Sequence, residues 1–132
     1  MARLILDTPL LVSAERDGID AIERLIGDED DVAVATITAA ELLVGVELAD
    51  EGRRAARREF VEAVLEAISV EDYDLDVAAA HAALLVHTRR SGQPRGAHDL
   101  IIAATGRVRD REVVSADTSG FAELPGVVLR GL

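Results

Sequence analysis

Short apolar segments separated by helical patterns recur along the chain, and this alternation limits the fold more than any other feature. Five such segments predict β-strands: residues 3–6, 32–35, 68–70, 112–115 and 127–129. Strands that do not alternate apolar with polar residues are typical of a parallel sheet with helices on both faces. The sequence therefore predicts an α/β fold, a three-layer α/β/α domain with four or five parallel strands and the first strand at the centre.

Boundary residues between these segments predict where the helices begin and end. Gly18 divides two short helices, and the second would carry Ile19, Ile22, Leu25 and Ile26. Thr38 opens the next helix, and Gly52 separates it from a longer amphipathic helix. Asp76 caps another helix, and Asp99 opens an apolar helix over residues 100–105. Helices thus follow the first three strands, as parallel crossover connections require.

The composition limits the classes of function. Hydrophobic residues make up 49% of the 132 residues, which is enough for a core, and the length fits one domain over residues 1–132. Aromatic residues at 2% argue against RNA-binding modules that stack bases on several exposed rings. The absence of Cys excludes disulfide frameworks and thiolate metal sites, and no apolar run approaches the roughly 20 residues of a membrane span. These features predict a cytoplasmic protein that does not bind membranes.

The charge balance bears on the partners of the protein. Lys and Arg number 14 against 25 Asp and Glu, which gives a net charge of −11. An acidic surface repels nucleic-acid phosphates at long range. A divalent cation held by clustered carboxylates reverses the sign of the local field. A nucleic-acid substrate is therefore compatible with this composition where acidic residues bind metal.

Four acidic residues stand where the predicted fold opens at one edge of the sheet. Asp7 directly follows the first strand, and Asp117 follows the fourth. Glu41 lies in the first turn of the helix after the second strand, and Asp99 opens the apolar helix. Since sites in parallel sheets form at the carboxyl ends of the strands, we expect these side chains to converge. A hard divalent cation with oxygen ligands, such as Mg²⁺, would relieve their mutual repulsion.

Each acid also has a purely structural interpretation. Thr38 and Glu41 have the spacing of a capping box. Asp7, Asp99 and Asp117 suit helix N-termini, as caps or as partners of the helix dipole. Taken singly, capping explains each residue at least as well as catalysis does. Taken together, the four acids favour a metal site.

Four segments carry a resemblance to a known family: Leu4–Thr8, Thr38–Gly45, His98–Ala104 and Ser115–Phe121. Their order and spacing resemble those of the PIN-domain family and, within it, the VapC-type toxins of bacterial toxin–antitoxin pairs. The resemblance covers essentially the whole chain. It implies a metal-dependent ribonuclease whose site is formed by Asp7, Glu41, Asp99 and Asp117.

The resemblance also implies roles and partners. Asp7, Asp99 and Asp117 are the expected ligands of Mg²⁺ or Mn²⁺, and Glu41 is either a ligand or a general base. The expected substrate is RNA. The expected protein partners are a cognate VapB-type antitoxin and a second copy of the chain in a homodimer.

Two further residues are candidates for orienting the acids. Thr8 and Ser115 each carry a hydroxyl next to, or two residues before, an expected ligand. Pro9 stands where the family usually has a small polar residue, and Ser115 where Thr is common. Neither departure replaces a carboxylate, so activity is still expected.

Arginine clusters are the candidates for binding RNA. Arg89, Arg90 and Arg95 lie in and around the turn before the helix that bears Asp99, and their charges suit phosphates. A second cluster is expected to form salt bridges with acids of its own helix: Arg53, Arg54, Arg57 and Arg58. His98, at the start of a helix, is expected to be solvated.

Two alternatives remain open. The first is a PIN fold without activity that serves only to bind a partner or to dimerise, which an RNA cleavage assay would distinguish. The second is a Mg²⁺-dependent phosphatase or a response-regulator receiver. Receivers and most such phosphatases hold phosphate with a Lys, which this chain lacks, and the phosphatase pattern needs an Asp where Pro9 stands.

Overall fold

The computed structural model describes residues 1–18 and 27–131, and it contains one five-stranded sheet. The strands are β1 (Arg3–Leu6), β2 (Asp31–Ala35), β3 (Ser69–Glu71), β4 (Glu112–Ser115) and β5 (Leu129–Gly131). Their order across the sheet is β3-β2-β1-β4-β5, and every neighbouring pair is parallel. β1 is central, so the predicted α/β fold is confirmed.

Helices cover both faces of the sheet and give three layers. They are α1 (Thr8–Asp17), α2 (Thr36–Leu48), α3 (Glu51–Ala67), α4 (Leu75–Ser91) and α5 (Ala97–Arg109), with a short 3₁₀ turn at Thr118–Gly120. Successive side chains of β1 point to opposite faces. Leu4 and Leu6 pack with α1, α2 and α3, whereas Ile5 packs with α4 and α5. The predicted α/β/α layering is thus confirmed.

The helices that follow β2 do not begin where the sequence predicted. α2 begins at Thr36, two residues before Thr38. Gly52 does not separate the helices, because it is the second residue of α3. The chain turns instead at Asp50, whose side chain accepts a hydrogen bond from the Arg53 N–H at 3.1 Å. This bond satisfies an amide that the start of the helix leaves without a partner.

The starts of α4 and α5 also differ from the prediction. Asp74, and not Asp76, caps α4, because its carboxylate accepts from the Val77 N–H at 3.0 Å. α5 begins at Ala97, which makes Asp99 its third residue. Asp99 therefore lies within the first turn and does not cap the helix.

The last strand and the predicted helix after Gly18 remain to be compared with the structure. β5 begins and ends two residues later than the predicted range 127–129, because the Val127 N–H closes a turn on the Leu124 carbonyl at 3.2 Å. The predicted short helix bearing Ile19, Ile22, Leu25 and Ile26 lies outside the described residues. No helix within residues 1–18 and 27–131 is both long enough and apolar enough to cross a membrane.

The carboxyl ends of three adjacent strands open at one edge of the sheet. β1 and β4 are in register, with Leu6 opposite Val114. Asp7 follows β1 directly, and Asp117 stands two residues beyond the end of β4. α2 leaves β2 without a connecting loop, since it begins at Thr36. This edge carries the candidate site.

Candidate active site

Asp7 is the most deeply buried of the four acids. Its residue is 4% exposed, and Oδ1 is buried without a hydrogen-bond partner. It stands at the N-cap position of α1, yet its side chain does not cap the helix. Burial raises the pKa of Asp7, a hydrogen bond from Ser115 opposes this rise, and the nearby charges of Asp99 and Glu41 add to it. Asp7 thus occupies the N-cap position without making the capping hydrogen bond.

Ser115 connects two of the acids. Its Oγ lies 2.8 Å from Asp7 Oδ2 and 2.8 Å from the Asp117 carbonyl oxygen, and it accepts from the Asp117 N–H at 3.2 Å. The hydroxyl has one proton, and its bond to an ionised carboxylate is the stronger of the two. Ser115 therefore fixes one oxygen of Asp7 and leaves the other free.

Glu41 is held by a neighbouring hydroxyl. Thr8 Oγ1 donates to Glu41 Oε1 at 2.9 Å and lies 2.9 Å from Thr38 Oγ1. Thr38 is fully buried, and the N-cap of α2 is Ala35, so the predicted capping box does not form. The structure thus places Thr8 at the site, as a donor that orients Glu41.

His98 lies against the other oxygen of Glu41. Its Nδ1 is 3.2 Å from Glu41 Oε2, while the His98 side chain is half exposed. The sequence predicted a solvated histidine, and the structure adds an acidic neighbour. His98 thus connects the first turn of α5 to Glu41 of α2.

Asp99 is partly buried beside the other acids. Within the described residues its carboxylate accepts no protein hydrogen bond, in contrast to that of Asp7. Burial raises the pKa of Asp99, the charges of Glu41 and Asp117 raise it further, and His98 lowers it. Asp99 is therefore close enough to two acids for their charges to act on it.

Asp117 is the acid with the most hydrogen bonds at the site. Its Oδ1 accepts from the Ser119 N–H at 3.0 Å and from the Ser119 hydroxyl at 2.7 Å, capping the short 3₁₀ turn. These bonds lower the pKa of Asp117. The capping interpretation is correct here, and the carboxylate is also ionised and exposed at the edge of the site.

The chemistry of this donor set fits a hard cation. All four acids supply oxygen, and the unpartnered Asp7 Oδ1 is a buried acceptor that lacks a donor. The charges of Glu41 and Asp99 raise the pKa of Asp7, and those of Glu41 and Asp117 raise the pKa of Asp99. Within residues 1–18 and 27–131, however, no three acidic or histidine side chains are drawn together closely enough to hold a metal ion. Binding a cation would therefore require these side chains to move together.

The arginines that were candidates for RNA binding differ in their surroundings. Arg89 and Arg90 are exposed in the last turn of α4. Arg95 instead donates from Nη2 to the Ala122 carbonyl at 3.0 Å, and from Nη1 to the carbonyls of Gln93 and Pro94 at 3.3 Å. Arg95 therefore joins the loop before α5 to the segment after the 3₁₀ turn.

The second arginine cluster forms ion pairs, but not within its own helix. Arg57 pairs with Glu15 of α1 at 2.9 Å, and Arg58 pairs with Glu47 of α2 at 3.3 Å. Arg54 donates to the Ala49 carbonyl at 2.8 Å. The predicted intrahelical pairs are thus replaced by contacts that connect α3 to its neighbours.

Comparison with known protein families shows which family has these features. The sequence profile described as PIN domain matches residues 4–127. The chain belongs to the PIN domain family. It is similar to "Ribonuclease VapC" of Rickettsia bellii, with 26% identity over 123 residues that cover 92% of this chain and 90% of the relative.

Two other known proteins resemble this PIN domain over its whole length. "tRNA(fMet)-specific endonuclease VapC" of Salmonella typhimurium is 28% identical over 130 residues, which cover 96% of each chain. A solved member of the VapBC family of toxin–antitoxin systems, VapBC-5 from Mycobacterium tuberculosis, matches with a TM-score of 0.81, 27% identity and full coverage of both chains. The predicted resemblance to the PIN family and to VapC-type toxins is confirmed.

Three residues of this PIN domain that contact the acids or their partners were not predicted to do so. Thr38 was interpreted as a cap, His98 as solvated, and Ser119 was not singled out. Ser119 follows Asp117 by two residues, which is the spacing of an Asx turn and could have identified it. Thr38 and His98 meet the site only through the packing of α2 and α5, and no local pattern signals that contact.

Proposed function

We propose that this chain is a divalent-metal-dependent endoribonuclease that acts as the toxin of a toxin–antitoxin pair in the cytoplasm. The observation that carries the proposal is the group of four interacting acids at the carboxyl edge of the sheet, with Asp7 Oδ1 buried and unpartnered. The similarity to proteins named ribonuclease and endonuclease supports the same activity. Cleavage of RNA would arrest translation and growth.

The four acids have different roles in the proposed site. Asp7, Asp99 and Asp117 would hold Mg²⁺ or Mn²⁺, which when bound activates water and stabilises charge on a phosphate. Ser115 keeps Asp7 Oδ2 in place, so that Oδ1 would remain available to the cation. Glu41 serves as a further ligand or as the base that accepts a proton.

RNA would be bound by charges outside the acidic edge. Arg89 and Arg90 project into solvent at the end of α4, where each could contact a phosphate. Arg95 is a weaker candidate than the sequence suggested, because its guanidinium is occupied by three backbone carbonyls. We therefore assign phosphate binding to Arg89 and Arg90.

An antitoxin would fit a groove that leads to the acids. A cavity of about 590 Å³ lies among α1, α2 and α3 and reaches Glu41. Val12, Leu42 and Phe60 line it with apolar surface. A disordered antitoxin segment could fold into this groove and extend an Arg towards the acids, since a guanidinium pairs bidentately with carboxylates. We also propose a homodimer, which sedimentation at micromolar concentration would test.

The decisive experiment is RNA cleavage by the purified chain. We expect cleavage with Mg²⁺ or Mn²⁺, none in EDTA, and a loss of at least 100-fold in Asp99→Ala, which removes a cation ligand. Glu62→Gln is the matched control, because Glu62 is an exposed carboxylate on α3 outside the site. Circular dichroism must show that each variant is folded. Cleavage that continues in EDTA would refute the mechanism, and a folded chain without cleavage would favour a PIN fold that only binds a partner.

A further inference from the structure

The Asp99 carboxylate lies between two glycines. A β-carbon on Gly120 would lie 2.6 Å from Asp99 Oδ2, and one on Gly96 would lie 3.1 Å from the same oxygen. At 2.6 Å the Asp99 carboxylate must shift to admit the β-carbon, and at 3.1 Å it must give by a few tenths of an ångström. A side chain at either position would therefore push the carboxylate away.

Backbone conformation does not explain why these two positions are glycine. Gly96 has φ −58° and ψ 140°, which any residue adopts. The described glycines with a positive φ are Gly18, Gly92 and Gly126, a group that does not include Gly120. What glycine supplies at 96 and 120 is room beside Asp99.

The three aspartates are held in different ways. Ser115 donates to Asp7, and Ser119 donates twice to Asp117. Within the described residues Asp99 accepts no hydrogen bond, so its carboxylate lacks the donor that each of the other two aspartates has. Its position next to Gly120 places it against the turn that follows Asp117.

We propose that Gly120 and Gly96 are positioning residues of the acidic site. Because they carry no β-carbon, the Asp99 carboxylate can lie beside the Thr118–Gly120 turn with both of its oxygens free of hydrogen bonds and available to a cation. The inference rests on the proposed function, because it concerns the same metal site. It adds that the geometry of this site depends on the absence of two β-carbons.

The test compares alanine substitutions at three glycines. We expect Gly120→Ala to lower the unfolding temperature of the metal-free protein and to weaken Mn²⁺ binding at least tenfold in titration calorimetry. Gly96→Ala should act in the same direction but less strongly, because its contact is longer. Gly52→Ala is the matched control, since its β-carbon would lie 3.6 Å from the Asp50 carboxylate, an ordinary contact. It should leave Mn²⁺ affinity unchanged.

Making the same substitution in an Asp99→Ala protein distinguishes a clash with Asp99 from a general effect on the fold. Asp99→Ala removes the oxygen that the new β-carbon would meet, so Gly120→Ala should lower the unfolding temperature far less there than in the wild type. An equal loss in both backgrounds would overturn the inference, as would wild-type Mn²⁺ affinity in folded Gly120→Ala. If Gly120→Ala does not fold, the same comparison is made with Gly96→Ala. If the wild type binds no Mn²⁺, the proposed function fails, and the unfolding comparison alone decides the steric contact.

Discussion

Ser115 Oγ lies 2.8 Å from Asp7 Oδ2 and joins the ends of the two adjacent strands β1 and β4. Both residues are buried, so the bond lies away from bulk water. It stabilises the ionised form of Asp7 against the burial that raises its pKa. The same contact therefore supports the fold and keeps a charged carboxylate at the candidate site.

The first prediction concerns Ser115→Ala. Removing the hydroxyl takes away the side-chain donor to the buried Asp7 carboxylate, which should cost about 1–3 kcal/mol of unfolding free energy at pH 7. The cost should shrink at low pH, where Asp7 is protonated. Urea unfolding at several pH values measures both effects. Ser91→Ala is the control, because the exposed Ser91 hydroxyl bonds only to the Thr88 carbonyl. A pH-independent cost at Ser115 would show that its bond does not act on the charge of Asp7.

The second prediction concerns pH and Asp99→Asn in metal-free protein. Because the folded-state pKa of Asp99 is raised above 3.8, ionisation opposes folding, and this penalty is complete above the folded-state pKa. Asp99→Asn should therefore raise the unfolding temperature at pH 7, and the gain should disappear as the pH falls towards 3.8. Asp117→Asn should have the opposite sign at pH 7, because hydrogen bonds lower the pKa of Asp117. Thermal unfolding between pH 4 and 8 checks this; a gain from Asp99→Asn that persists at pH 4 would contradict it.

The fold was predictable because its signal is local. Each strand is a short apolar run, and β1 shows this clearly, since Leu4 and Leu6 face one core and Ile5 the other. The helix starts were less predictable. Asp74 and Asp76 stand two residues apart and both suit an N-cap, and only the bond from the Val77 N–H identifies Asp74 as the cap.

The acids of the site were predictable from their positions after strands, but their partners were not. Thr8 reaches Glu41 across 33 residues of sequence, and Ser115 reaches Asp7 across 108. Such contacts depend on how α1, α2 and β4 pack around the edge of the sheet. Arg95 shows most clearly what the sequence cannot predict. Its charge suggested RNA binding, but its guanidinium donates to backbone carbonyls that no sequence pattern identifies.

The third prediction separates two roles among the arginines. Arg95→Ala removes the donor to the Ala122 carbonyl, which should lower the free energy of unfolding by about 1 kcal/mol. It should also lower kcat with little change in KM. Arg89→Ala combined with Arg90→Ala should raise KM and reduce the salt dependence of RNA binding without changing stability. Steady-state cleavage at two salt concentrations and urea unfolding distinguish the two patterns. A rise in KM from Arg95→Ala at unchanged stability would return Arg95 to the RNA-binding surface.

The last prediction concerns the groove among α1, α2 and α3. Val12 is 52% exposed and lines its wall, so Val12→Glu would place a charge where an apolar antitoxin side chain is expected to pack. We expect antitoxin binding to weaken at least tenfold, or about 1.4 kcal/mol, while RNA cleavage by the free chain stays at the wild-type rate. Leu75→Glu is the control, because Leu75 is an exposed apolar residue on α4 outside the groove. Antitoxin binding is measured by calorimetry with purified antitoxin. A growth assay measures its consequence in cells. Co-expression of the antitoxin should rescue cells that make the wild type or Leu75→Glu, but not cells that make Val12→Glu. If the antitoxin binds and silences Val12→Glu as tightly as the wild type, it docks on another surface of the domain.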